Sequence, residues 1–333
     1  MASSEIVKRQ HFVPRTYLKH FSVQKGEDFF INVLPRLEKE EDKIFESNIK
    51  NVCLQKHLYT LPGETDEEKM LLEKFYSDNY ESQYDRIYEI LTNPAKTIIT
   101  KEDRELIIST VITMFYRTSR WITLHNDLIK RVYTILFQVC EQTGKDFFEF
   151  EGQKISIAGK KLDELIKEHT DENRPIQVLT QLEVAMKLIN VRQIRDGILV
   201  FKLCDEVEFI TSDNPVIANN PYQKDTMPFD PNNILKLPLD SKHILYLMPY
   251  SEKETQNIII RKNLNGVMCN MERLVGNYEL IKLSERFIFG SNEGLKSYLK
   301  TKELSESPMN SDEHKKLKTI QDFIEKGKEL GII

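Results

Sequence analysis

The sequence predicts an α+β protein: a helix-rich first half followed by a mixed, mostly antiparallel sheet with flanking helices. Apolar residues recur at helical spacing between residues 65 and 191, and from Gly197 the period changes to the alternation typical of strands. Helices first and strands afterwards is the element order of α+β chains. With 333 residues, 40% of them hydrophobic, the chain can bury a sizeable core.

Four parts follow one another along the chain. They are an N-terminal arm packing on the body (1–62), a helical region (63–195), an α/β region completing one shared core (196–300) and a C-terminal helix (301–333). Within the arm, residues 28–34 have a strand pattern. The charged tract 38–46 predicts a solvated loop or hairpin tip.

The helices of the second part have recognisable start signals. Thr65 with Glu68 forms a capping-box pattern before an apolar run that ends ahead of Pro94, and Thr100 with Asp103 begins a second helix. The second apolar stripe continues to residue 139. We expect a hairpin around residue 152 and further helices at about 160–172 and 176–191.

The second half reads mainly as strands. Residues 198–203 and 207–211 predict two strands, and the Asn- and Pro-rich stretch 218–236 predicts a long irregular loop. The remaining predicted elements are strands at 243–248, 257–261 and 287–289, a helix at 267–278 and a charged amphipathic helix at 311–330.

Composition limits the function classes. The 47 basic and 52 acidic residues give a net charge of −5, so any nucleic-acid site must be local. No apolar stretch approaches the roughly 18 residues of a membrane helix, and the four cysteines form no CxxC pair. We therefore expect a cytoplasmic protein without a membrane partner.

The polar cluster near the N-terminus is the first candidate site. Gln10, His11 and Arg15 surround a proline-stiffened turn that can hold an imidazole in a fixed setting. His11 could act as base, acid or metal ligand. Alternatively, it ties the arm to the body through hydrogen bonds.

The second candidate cluster follows a predicted strand. Residues 207–211 should deliver Asp213, with Ser212 and Asn214 beside it, to a strand end, where sites are commonly built. The same Ser-Asp-Asn-Pro sequence is also an ordinary turn, in which the polar side chains cap backbone groups.

Three charged residues of the helical region complete the candidate set. Glu73 lies near the centre of the apolar face of the first predicted helix and Glu81 at its edge, so each needs a partner. That partner could be Arg117, a tyrosine hydroxyl or a metal ion. Arg117 could clamp a phosphate or carboxylate, or it could simply neutralise one of these glutamates.

These residues resemble the signature of a bacterial family known as domain of unknown function number 4238. The resemblance rests on Gln-His-x-Val-Pro-x-x-Tyr-Leu-x-x-Phe at residues 10–21, which includes Tyr17, and on Ser-Asp-x-Pro at residues 212–215. The helix with Glu73 and Glu81, the Arg117 helix and the Asn270 helix are also similar. The resemblance implies that these dispersed residues belong to one site, and it implies no activity.

Two hypotheses follow for function. In the first, the chain is a nuclease-like phosphodiester hydrolase acting on nucleic acid or a nucleotide, with His11, Asp213 and Arg117 catalytic. A metal set of Glu73, Glu81 and Asp213 would hold Mg²⁺ or Mn²⁺, since these ions favour oxygen ligands. Binding would fall to a wider group: Gln10, Arg15, Tyr17, Ser212, Asn214 and Asn270.

In the second hypothesis the same residues form a structural hydrogen-bond network in a non-catalytic binding module. Both hypotheses need the groups to meet. We therefore predict that His11 and Asp213 lie within about 10 Å of each other, since a buried carboxylate needs a distant partner. Arg117 and at least one of Glu73 and Glu81 should line the same concave surface. The sequence leaves the oligomeric state open.

Overall fold

The structure, a computed structural model, describes residues 7–222, 227, 229–249 and 256–306. Its helices are α1 (Arg15–Leu18), α2 (Asp66–Lys69), α3 (Leu71–Asn79), α4 (Tyr84–Thr92), α5 (Lys101–Tyr116), α6 (Ser119–Thr143), α7 (Leu162–Arg195), α8 (Gly266–Leu283) and α9 (Asn292–Glu306). Its early strands are β1 (Arg9–His11), β2 (Val23–Lys25), β3 (Asp28–Pro35), β4 (Phe45–Asn48), β5 (Leu54–Lys56), β6 (Phe147–Phe150) and β7 (Gln153–Ser156). Its later strands are β8 (Asp196–Leu203), β9 (Thr211–Ser212), β10 (Ile217–Asn219), β11 (Ile234–Pro238), β12 (His243–Pro249), β13 (Ile259–Leu264) and β14 (Phe287–Gly290).

This is an α+β fold, as the sequence predicts. One sheet has the order β10-β11-β12-β8-β13, antiparallel except for the parallel pair β8 and β13. The other is antiparallel, with the order β2-β3-β14-β9 and β4 paired to β3. The N-terminal arm thus shares a sheet with strands from the 196–300 region.

The predicted helix starts are confirmed. The Thr65 hydroxyl accepts the Glu68 backbone N–H while the Glu68 carboxylate accepts that of Thr65. The Thr100 hydroxyl accepts the backbone N–H of Asp103 at 3.1 Å. The hairpin around residue 152 is also present, as β6 and β7.

Helix continuity differs from the prediction at three places. The first predicted helix breaks at Tyr80, whose backbone leaves the α conformation, so that Glu81 begins a short 3₁₀ turn. The second divides at Thr118, because the Tyr59 hydroxyl binds the Arg117 carbonyl at 2.6 Å and Thr118 is extended. The predicted helices at 160–172 and 176–191 form one helix, α7, which packs against α5 and α6 on both sides of Pro175.

Several elements of the second half also differ from those predicted. The expected strand at 207–211 is reduced to β9, because Phe209 and Ile210 turn into the core without ladder partners. The expected loop 218–236 contains the end of β10 and the start of β11. The expected helix at 311–330 lies outside the described residues. None of the helices in the described ranges combines the length and apolar character needed to cross a membrane.

Candidate functional site

A cavity of about 470 Å³ opens beside the two-stranded ribbon β1–β5. His11 reaches it from the end of β1, and Arg15 from the start of α1. Glu73 lines it from α3, and Glu81 from the 3₁₀ turn that follows. Glu73 and Ser77 are four residues apart on α3 and share one face of it, and Glu81 lines the same cavity from beyond the break at Tyr80. The site is therefore built where the arm packs on the first helices.

The His11 imidazole is partly buried and neutral. Its Nε2 atom is shielded from solvent and has no hydrogen-bond partner among the described residues. Burial and the positive charge of Arg15 lower the pKa of His11 from 6.5 to about 4. The Lys50 backbone partly opposes this lowering of the pKa, and Nε2 is the ring nitrogen without a partner. A neutral imidazole has one unprotonated nitrogen, and we assign it to Nε2, the atom without a partner.

The Glu73 carboxyl shows the opposite shift. Desolvation raises its pKa from 4.5 to about 7, although the nearby positive charge of Arg117 acts against this rise. Its Oε2 atom is shielded and has no hydrogen-bond partner within the described ranges. Near neutral pH a substantial fraction of this carboxyl group therefore carries a proton that it can donate.

Arg117 fixes the back of the site. Its guanidinium is buried and donates to the Glu81 carboxylate at 2.7 Å and to the His11 carbonyl at 2.6 Å. It also stacks on the Tyr76 ring, 4.4 Å from the centroid. One arginine therefore ties the strand that carries His11 to the turn that carries Glu81.

Three further cationic side chains line the cavity. They are Arg9, Arg15 and Lys74, all exposed. Within the described ranges, the bonds of the Arg9 guanidinium go to neutral groups, the Asn51 amide oxygen at 3.0 Å and the Lys50 carbonyl. Because cations outnumber the ionised carboxylates here, the cavity favours an anionic ligand.

The Asp213 carboxylate binds backbone groups outside the cavity. Its buried carboxylate accepts backbone N–H groups of Glu285, Arg286 and Phe287 at 2.9, 2.7 and 3.1 Å. Burial raises its pKa, and these three bonds oppose the rise. It does not line the cavity with His11 and Glu73. These contacts are those of a structural cap at the turn that leads into β14.

The other predicted binding residues, Arg15 excepted, also make internal contacts. Buried Gln10 accepts the Tyr59 N–H at 2.6 Å, and the Tyr17 hydroxyl shares a 2.6 Å bond with Thr211. Ser212 and Asn214 bond to each other, and Asn214 bonds to Thr118 and Leu283. Asn270 donates to the Gly266 carbonyl within α8. This network clamps the arm and the Asp213 turn to the body.

The three proposed metal ligands, Glu73, Glu81 and Asp213, do not line one site. Arg117 engages one oxygen of Glu81, Oε1, and the Asp213 carboxylate caps backbone N–H groups away from the cavity. Among the described residues, no group of three or more His, Cys, Asp and Glu side chains is placed to hold a metal ion. This donor set does not fit Mg²⁺ or Mn²⁺, which favour several oxygen ligands.

Sequence reasoning missed part of the cavity. Arg9 lies two residues before His11 on the same strand, and therefore on the same face. Ser77 lies four residues after Glu73, and so faces the same way. Both could have been found by applying strand and helix periods outward from the two residues already singled out. Lys74 offered no such signal.

The Glu73→Gln variant should show a pH-dependent gain in stability. The folded pKa of about 7 exceeds the usual 4.5, so between these values the folded chain binds more protons than the unfolded chain. Its stability therefore falls as pH rises through this window. Glutamine removes that loss, so the variant's melting temperature should exceed that of the wild type at about pH 8 and match it near about pH 4.

The matched control is Glu89→Gln, at an exposed residue paired with Lys96. It should show no such gain at the higher pH. An equal shift of the Glu73→Gln melting temperature at both pH values would contradict a raised Glu73 pKa.

Comparison with known proteins gives one match. A family model described as "Protein of unknown function (DUF4238)" matches residues 9–294. This range runs from β1 into α9 and contains the cavity residues described above. No curated protein and no solved structure matches the chain significantly.

Proposed function

Since the chain belongs to DUF4238, a family of proteins of unknown function, we propose a function from the geometry of the cavity. The protein is a phosphodiester hydrolase that acts on nucleic acid or a nucleotide by general acid–base catalysis. His11 is the general base and Glu73 the general acid. Arg9, Arg15 and Lys74 hold the phosphate.

One observation carries this proposal. His11 and Glu73 line the same cavity, their shielded Nε2 and Oε2 atoms lack partners among the described residues, and the pKa values of the two side chains are shifted in opposite directions. A neutral base beside a protonated acid is the arrangement that acid–base catalysis needs. Leaving two shielded polar atoms unpaired costs stability, which a role in binding and turnover would explain.

A bound phosphate would improve both groups. Its negative charge offsets Arg15, the charged group that most lowers the His11 pKa, so His11 becomes a stronger base. The same negative charge raises the Glu73 pKa further, which keeps the acid protonated. The substrate thus prepares both residues for the roles that we propose.

In the proposed step His11 takes up one proton and Glu73 gives one up. His11 Nε2 takes the proton of the attacking hydroxyl group, whose oxygen forms a bond to phosphorus. The bond from phosphorus to the leaving oxygen breaks, and Glu73 gives its proton to that oxygen. Afterwards His11 is protonated and Glu73 ionised, and exchange of one proton through solvent restores both.

The test is a substrate panel with purified protein. RNA, single-stranded DNA, nucleotides and bis-p-nitrophenyl phosphate are incubated with a chelator and, separately, with Mn²⁺ or Mg²⁺. We expect cleavage of at least one diester that persists with the chelator. A pure, folded preparation inert across the whole panel would contradict the proposal, and cleavage only with added metal would contradict the acid–base assignment.

A non-catalytic binding module is the second candidate. The contacts of Gln10, Tyr17 and Asp213 favour it, because they are those of a structural network. The same network leaves His11 Nε2 and Glu73 Oε2 unpartnered among the described residues. Such a module would bind a phosphate ligand in the cavity and release it without cleaving it.

The cysteines support a cytoplasmic setting for this activity. Cys53, Cys140 and Cys269 are buried free thiols, and Cys204 is an exposed one. Free thiols are typical of reducing compartments.

A further inference from the structure

The ribbon beside the cavity carries two cations in register. Arg9 of β1 lies directly opposite Lys56 of β5, and both side chains are exposed. Residues directly opposite in an antiparallel pair project from the same face, and so do residues two apart on one strand. Lys56 therefore shares its face with Arg9 and His11, both of which line the cavity.

Two like charges directly opposite each other destabilise a strand pair. Neither Arg9 nor Lys56 has an acidic partner in the part of the chain that the structure describes. Two other ribbons of this protein place opposite charges in register instead, Glu149 with Lys154 and Lys25 with Asp28. The β1–β5 ribbon thus carries an uncompensated repulsion next to the cavity, which an anion lying across it would relieve.

We propose that Lys56, which lies opposite Arg9, binds a backbone phosphate of a nucleic-acid strand, next to the phosphate that Arg9, Arg15 and Lys74 hold in the cavity. The substrate class is then a polynucleotide rather than a nucleoside monophosphate, since a strand supplies a second phosphate one nucleotide away from the first. The statement that the phosphate in the cavity is the one cleaved rests on the proposed function. The contact of the ribbon with a nucleic-acid strand is independent of that function.

The test measures binding in a His11→Ala background, so that the strand stays intact. A fluorescent single-stranded oligonucleotide is titrated at several salt concentrations against this protein with and without Lys56→Glu. We expect the substitution to weaken binding several-fold. The slope of log affinity against log salt should shrink by about 0.7, the value for one lost phosphate contact on a single strand.

Stability separates this effect from misfolding. Lys56→Glu places a carboxylate opposite Arg9, and opposite charges in register favour the strand pair. The melting temperature should therefore stay level or rise while affinity falls. The matched control is Lys130→Glu, the same charge change at an exposed residue of α6, which should alter neither quantity.

Three outcomes are informative. Equal affinities for Lys56→Glu and Lys130→Glu would overturn the strand contact, whether or not the wild type hydrolyses bis-p-nitrophenyl phosphate. Tight binding of a mononucleotide with no preference for the oligonucleotide would overturn it as well. Salt-sensitive oligonucleotide binding through Lys56, by a protein that cleaves no diester, would support the ribbon and contradict the proposed function.

Discussion

Replacing His11 by alanine is expected to lower kcat/KM for a cleaved phosphodiester by about 10² to 10⁴, the usual contribution of a positioned acid or base. The reason is that Nε2 is the free lone pair that this site offers to an attacking hydroxyl group. Glu73→Gln should cause a loss of similar size, because glutamine fills the same space without a transferable proton. Steady-state kinetics on the best substrate of the panel measure both effects.

Folding is the necessary control for this result. His11→Ala removes the unpartnered Nε2 together with the rest of a half-buried ring that interacts with the Lys50 backbone, so its stability should fall by no more than about 1.5 kcal/mol, the net value of one hydrogen bond. The matched variant His125→Gln changes a histidine of α6 outside the cavity and should keep full activity. Full activity in a folded His11→Ala protein would remove His11 from the mechanism.

Replacing Asp213 by alanine is expected to destabilise the fold by about 3 kcal/mol, because three partly buried backbone N–H groups lose their acceptor, at about 1 kcal/mol each. The three bonds hold residues 285–287 at the start of β14. Chemical denaturation at several pH values measures the effect. Any activity lost should return when the variant is assayed at a temperature where it is folded.

The comparison variant is Asp78→Ala, at an exposed residue of α3, which should change stability by less than about 0.5 kcal/mol. A stable, folded and inactive Asp213→Ala protein would contradict the structural assignment and return Asp213 to the chemistry. The two single variants thus separate the roles of the two parts of the sequence signature. His11 should act on rate, and Asp213 on stability.

Local signals in the sequence predicted the fold class well. The capping pattern of Thr65 and Glu68 needs only neighbouring residues, and both of its hydrogen bonds form. Helix ends set by distant contacts escaped prediction. The break at Thr118 depends on the hydroxyl of Tyr59, which is 58 positions before Arg117 in the chain, and no periodicity reports such a contact.

The site was predictable in part. His11, Glu73, Glu81 and Arg117 were selected by residue type and setting. The first three line one cavity, whereas Arg117 does not line it and lies buried behind it, bonded to Glu81 and to the His11 carbonyl. Asp213 was selected on the same grounds, but its three N–H donors lie about 70 residues further along the chain. A polar residue at a strand end is compatible with either role, and only its partners distinguish the two.

The pH dependence of kcat/KM tests the central claim, the pairing of a neutral His11 with a protonated Glu73, most directly. This parameter reports ionisations of the free enzyme. We expect a bell-shaped profile. Its acidic limb should reflect the His11 pKa of about 4, and its alkaline limb the Glu73 pKa of about 7. Glu73→Gln should lose the alkaline limb alone. A rate that continues to rise above the Glu73 pKa, or an alkaline limb that persists in Glu73→Gln, would contradict the assignment.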